Sequence, residues 1–140
     1  MSSRKKPPAK KAAKRPRKPR SERVPKTATN DETCLQMHCN AWRLREHPTL
    51  LMFHVANERQ AKVQYHVKLK RLGVLPGVAD FLAFPDNGRK VAIEMKDDEG
   101  NQDEDQIRFQ LRWERSGGLY FICRTLEEFQ GVVNGITMFC

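Results

Sequence analysis

With 140 residues and a net charge of +9, the chain has room for one core of modest size plus an appendage. The charge is uneven. Met1 to Lys26 carries twelve Lys or Arg against the single acid Glu22, whereas the remainder has fourteen bases and sixteen acids, so a +11 segment precedes a body at −2. No stretch is long and apolar enough to span a bilayer or to serve as a secretory signal, so a soluble, intracellular protein is expected.

The basic segment also holds five of the eight prolines and almost no bulky apolar side chain. It cannot bury enough surface to offset chain entropy, so residues 1–28 are expected to form a disordered polybasic tail ahead of a folded domain over 29–140. Such a tail attracts phosphate backbones without sequence preference. A nuclear address, an RNA-binding tail and simple solvation are the other readings of the same composition.

Thr29-Asn30-Asp31-Glu32 has the form of a capping box, with Thr29 as N-cap. A helix should follow, carrying Leu35, His38, Ala41, Trp42 and Arg45 at helical spacing and ending before Pro48. Cys34, His38 and Cys39 lie close enough to suggest zinc, but no fourth ligand accompanies them. Cys34, Cys39, Cys123 and Cys140 show no C-x-x-C spacing and are expected to be reduced. The short apolar run from Thr49 to Val55 predicts a buried strand.

From Asn57 to Leu72 the pattern is helical again, with Ala61, Tyr65, Leu69 and Leu72 on one side and Gly73 as terminator. Lys62, Lys68, Lys70 and Arg71 on this helix are the candidate DNA-phosphate contacts within the folded part, against the ordinary reading of a solvated face.

Next come two β-rich runs, Gly77 to Phe84 and Lys90 to Lys96, joined through Pro85-Asp86-Asn87-Gly88. Each is mostly apolar yet carries charge at its far end: Asp80 on the first, Glu94 and Lys96 on the second. A two-residue Asn87-Gly88 loop would pair Phe81 with Glu94 and put Asp80 on the opposite face. A three-residue Asp86-Asn87-Gly88 loop with Gly88 left-handed sets Asp80 across from Glu94, and this register is preferred. It gathers Asp80, Glu94 and Lys96 on one face, with the carboxylates near enough to share a hard divalent cation such as Mg²⁺. Lys96 adds positive charge where a pentavalent phosphate gathers negative charge.

Asp97-Asp98-Glu99 lacks the ligand periodicity of a calcium loop and reads as solvated. Asp103-Glu104-Asp105-Gln106 is a second capping box, opening a helix through Ile107, Leu111 and Glu114 that stops at Gly117-Gly118. A strand from Leu119 to Arg124 and a third box, Thr125 to Glu128, complete the chain. Glu32 and Gln106 each have a sufficient structural explanation as the third residue of a capping box. The order helix, strand, helix, two strands, helix, strand, helix predicts an α/β fold, a mixed sheet with helices on its faces.

The run Phe53-His54-Val55-Ala56-Asn57-Glu58, the segment Leu72 to Asp80, Glu94-Met95-Lys96, Gly100, Gln106 and Gly117-Gly118 together resemble the VRR-NUC domain, a branch of the PD-(D/E)xK nuclease superfamily. The likeness covers roughly Thr29 to Asn134. It implies a restriction-endonuclease-like fold and phosphodiester hydrolysis dependent on Mg²⁺ or Mn²⁺. Through it Asp80 and Glu94 look like metal ligands and Lys96 like the catalytic lysine; Glu32 matches the acidic residue of the family's first helix, here a third ligand, and Gln106 the glutamine after the lysine. Ala79 stands where the family usually has proline.

The resemblance further implies a stand-alone, structure-directed DNA endonuclease of the cytoplasm of a bacterial or phage-infected cell. It would act as a two-fold homodimer on branched DNA, in the manner of a Holliday-junction resolvase. The alternative is a non-catalytic nucleic-acid-binding protein on the same fold. A structural or ribosome-associated basic protein would account for the tail but not for Asp80, Glu94 and Lys96.

Overall fold

The structure is a computed structural model, and it describes residues 32–56 and 63–138. Eight elements follow one another as expected: α1 (Glu32–Glu46), β1 (Leu51–His54), α2 (Val63–Arg71), β2 (Phe81–Phe84), β3 (Val91–Met95), α3 (Glu104–Arg115), β4 (Leu119–Cys123) and α4 (Leu126–Thr137). The strands form one sheet in the order β1-β2-β3-β4, antiparallel except for the parallel pair β3 and β4. The parallel pair follows from α3, which carries the chain back across the sheet between the two strands. The polybasic tail, the Thr29 cap, Asn57 to Lys62 and Cys140 lie outside the described residues.

Side-chain alternation splits the sheet into two faces. Phe81, Ile93 and Met95 point to one face, where Cys39 of α1 and Phe129 and Val133 of α4 close a core of fully buried side chains. Ala92 points to the other, where Ala79, Phe109, Trp113 and Tyr120 form a smaller core under α3. Ile107 and Leu111 of α3 face outward, so Gln106 and Phe109, with the partly buried Trp113, form the inward stripe of that helix.

β3 is buried at every position, because it has a strand on each side and helices on each face. β1 is a correction to the expected buried strand. It is the sheet edge, and only Met52 is buried while Leu51 and Phe53 are exposed. An apolar run of that length looks the same whether one or both faces are covered. Arg43 ties α1 to this edge, its buried guanidinium donating to Asn40 Oδ1 and the Met52 carbonyl.

α2 stops at Arg71 and is capped through Gly73, as expected: Gly73 N–H donates to the Lys70 carbonyl and Val74 N–H to the Leu69 carbonyl, the two bonds of a Schellman cap. Yet no residue of α2 is buried, so its apolar side does not enter the core. The third capping box is incomplete: Thr125 Oγ1 accepts from Glu128 N–H, but the Glu128 carboxylate reaches Arg124 N–H instead of the cap residue's own.

Candidate metal and catalytic site

The hairpin register decides the site. Phe81 pairs with Ile93 and Ala83 with Val91, so the next pair outward is Asp80 with Glu94. Gly88 takes the left-handed conformation (φ +79°) and its N–H donates to the Pro85 carbonyl, as the three-residue loop requires. Asp80 is then locked from two sides. Its Oδ2 accepts from Met95 N–H at 2.8 Å, and its carbonyl accepts from Val55 N–H at 2.9 Å.

Glu94 and Lys96 share the α3 face because they are two residues apart on one strand. Both are buried, at 1% and 4% exposure, which neither charge tolerates without partners. Lys96 Nζ lies 2.8 Å from Glu94 Oε1, and Gln106 Nε2 donates to the same oxygen at 2.5 Å. Glu94 Oε2 is buried and has no hydrogen-bond partner. Burial, then the neighbouring Asp80 carboxylate, push the Glu94 carboxyl up to about 7 against the pull of Lys96, with Glu32 adding to the rise.

The first turn of α1 brings Glu32 to the same end of the sheet. Carboxylate oxygens of Glu32, Asp80 and Glu94 all lie within 4.8 Å of one another. Three converging carboxylates, one with an orphaned buried oxygen, form a donor set of oxygens that suits a hard divalent cation. Their mutual repulsion adds to burial in raising the Glu94 pKa.

Gln106 caps α3 and bonds Glu94 with the same side chain. Its Oε1 accepts from Asp103 N–H and its backbone N–H donates to Asp103 Oδ1, the reciprocal bonds of a capping box. The remaining end of the same side chain holds Glu94.

Cys34, His38 and Cys39 form no metal-holding group among the described residues. Cys39 is buried in the core, its thiol pushed up to about 12 by burial, while His38 faces solvent. The acidic side chains of Asp97, Asp98 and Glu99 are exposed, but the loop backbone is held: Arg124 Nη1 donates to the carbonyls of Asp97 and Gly100. Lys68, Lys70 and Arg71 are exposed along α2, and Lys62 lies outside the described residues.

Sequence reasoning did not single out His54. At the end of β1 its Nδ1 lies 2.7 Å from the Asp80 carbonyl and 2.7 Å from the side-chain amide nitrogen of Gln36, one turn along α1 from Glu32. With a proton on Nδ1 the ring donates to the Asp80 carbonyl; without it Nδ1 accepts from Gln36, so the tautomer decides which bond forms. The signal in the sequence was a polar ring closing an apolar strand.

No protein-family profile and no curated protein sequence matches the chain. Three solved chains do. One, described as a VRR_NUC domain protein, superposes with a TM-score of 0.61 at 16% identity, over 75% of this chain and 86% of its own. Another, described as a VRR_NUC domain, gives a TM-score of 0.51 at 17% identity, over 74% of this chain and 94% of its own. The chain therefore has the VRR-NUC nuclease fold, the expected α/β architecture with a mixed sheet flanked by helices.

Proposed function

We propose that this chain, built on the VRR-NUC fold, is a metal-dependent endonuclease that hydrolyses DNA phosphodiester bonds and selects its substrate by DNA structure. The observation that carries this reading is the cluster of Glu32, Asp80 and Glu94 with Lys96 and Gln106 at one end of the sheet. Glu32, Asp80 and Glu94 would hold Mg²⁺ or Mn²⁺. When bound there, the cation supplies Lewis acidity toward a phosphate oxygen and lowers the pKa of a coordinated water.

The chain's own groups do the rest. Gln106 and Lys96 both engage Glu94 Oε1, which fixes that carboxylate and leaves Oε2 as its free ligand atom. Lys96 brings positive charge to the cluster, where it stabilises negative charge growing on the phosphoryl group. Met95 N–H holds one oxygen of Asp80 and so restricts the carboxylate to one orientation. Lys68, Lys70 and Arg71 on α2 give phosphate contacts that place the backbone without reading sequence. A homodimer would present two such clusters to a branched substrate.

The test is cleavage of labelled junction, flap, nicked and linear DNAs with and without Mg²⁺ or Mn²⁺, for wild type, Asp80→Ala, Lys96→Ala and Glu32→Gln. Metal-dependent products from wild type alone support the assignment. Cleavage at the wild-type rate by folded Asp80→Ala refutes it, and binding without cleavage under every metal condition favours a non-catalytic nucleic-acid-binding protein.

A further inference from the structure

Between α2 and the start of α3 lies a cavity of about 360 Å³, within the size range of small-ligand sites. It is separate from the carboxylate cluster but shares a wall with it. Gly77 lines the cavity, and its Cα lies so close to Asp105 and Gln106 that a Cβ there would sit 2.2 Å from the Asp105 carbonyl carbon. Gln106 in turn holds Glu94.

The lining is chemically sorted. Leu75 and Pro76 give an apolar surface, and the rings of Tyr65 and His66 stand on the α2 side. Lys70 is the one lysine or arginine among the lining residues, and Lys68 and Arg71 lie on the other side of α2. On the α3 side are two carboxylates: Asp103, whose Oδ1 caps α3, and Asp105, whose Oδ1 lies 3.3 Å from Arg108 Nη1. A phosphate fits poorly inside, because it would face both carboxylates. A nucleobase fits all three parts: its face stacks on an aromatic ring, its amino and ring N–H groups donate to carboxylates, and a flanking phosphate meets the exposed Lys70.

We propose that this cavity receives one unpaired nucleobase of the substrate strand, beside the phosphodiester held at the carboxylate cluster. The inference deepens the nuclease reading and rests on it for the position of the cut. It makes the substrate class specific: the strand must offer an unpaired nucleotide next to the scissile bond, as flaps, gaps and branch points do and uninterrupted duplex does not. Unstacking costs least where pairing is already lost, so the cavity itself selects for such structures.

The experiment uses the full chain without metal and a single-stranded deoxyoligonucleotide carrying 2-aminopurine, or an abasic residue, at each position in turn. Fluorescence should change at one position relative to the bound end. An abasic residue there should weaken binding on the order of tenfold, the loss expected for one stacked base. Tyr65→Ala should cause the same loss, with no further loss when combined with the abasic strand, while Tyr65→Phe retains wild-type affinity. No residue of α2 is buried, so these substitutions leave the core intact. Equal affinity for intact and abasic strands at every position, or undiminished binding by Tyr65→Ala, overturns the proposal. Because these measurements need no cation, a base effect in a chain that never cuts DNA refutes the nuclease reading alone. Cutting without a base effect refutes the cavity's role alone.

Discussion

Replacing Gly77 by alanine tests how the Asp80 segment is seated against α3, and Gly73→Ala supplies the control. Both glycines have positive φ, +75° at Gly77 and +89° at Gly73. An L-residue there costs about 1–2 kcal/mol at either site. The surroundings differ. At Gly73 a Cβ meets nothing within 4 Å, whereas at Gly77 it would lie 2.2 Å from Asp105 C, 2.4 Å from Asp105 O and 2.6 Å from Gln106 N, all backbone atoms of the first turn of α3. Main chain cannot swing aside as a flexible side chain does, so overpacking adds about 1–3 kcal/mol. Gly73→Ala should therefore cost about 1–2 kcal/mol, from the backbone cost alone, and Gly77→Ala about 2–5 kcal/mol with overpacking included. Urea denaturation with a shared m-value measures both. Mg²⁺ affinity should fall only in Gly77→Ala, because the turn that is pushed away carries Gln106. Equal destabilisation by the two substitutions would refute the argument.

Four further outcomes follow from the site. Gln106→Glu should keep the cap yet lose the donor to Glu94, so it should retain more stability than Gln106→Ala while weakening or altering cation binding; thermal melts and Mg²⁺ titration separate the two roles. In the metal-free protein Glu94 keeps its proton to about pH 7 when folded, whereas the unfolded group releases it near the ordinary 4.5. The folded state then binds more protons in that window, so stability falls as pH rises from about 4.5 to about 7 and levels off above, by on the order of 3 kcal/mol; the difference between wild type and Glu94→Gln across a melting series isolates this, and the opposite slope would contradict it. His54→Asn, whose amide nitrogen can take the place of Nδ1, should preserve cation affinity, and His54→Gln should not; equal affinities in calorimetry would remove His54 from the support of Asp80. Deleting residues 1–26 removes a charge of +11, and each phosphate that the shortened chain leaves un-neutralised should reduce the slope of log affinity against log salt by about 0.9 on duplex DNA, with the preference for branched over linear DNA retained; an unchanged slope would show that the segment does not touch DNA.

The element order and the hairpin register were legible because both rest on local chemistry. Alternation along the strands and a three-residue Asp86-Asn87-Gly88 turn set Asp80 opposite Glu94, and the Phe81–Ile93 register of the structure is the one that leads to that pair. The environment of β1 was not legible, since its apolar run reads alike at an edge and in a centre. Gln106 looked like either a cap or a site residue, and sequence offered no reason to expect one side chain to use both ends. His54 was missed because its partner is the carbonyl of Asp80, and every residue has a carbonyl. Glu32 illustrates the limit of local reading: its place beside Asp80 and Glu94 depends on how α1 lies across the sheet.

That last dependence bears on how the site comes into being. Asp80 and Glu94 are fourteen residues apart and belong to one hairpin, and Lys96 and Gln106 follow within twelve residues of Glu94. These groups are brought together by closing short loops, the fast class of folding event. Glu32 lies forty-eight residues before Asp80, and its arrival requires the much longer loop through β1 and α2 to close. By loop length, two carboxylates should meet early and the third late. On the proposed metal site, tight cation binding during refolding should then mark the moment at which α1 reaches the sheet, and time-resolved Mg²⁺ or Mn²⁺ uptake would serve as a clock for long-range assembly of this domain.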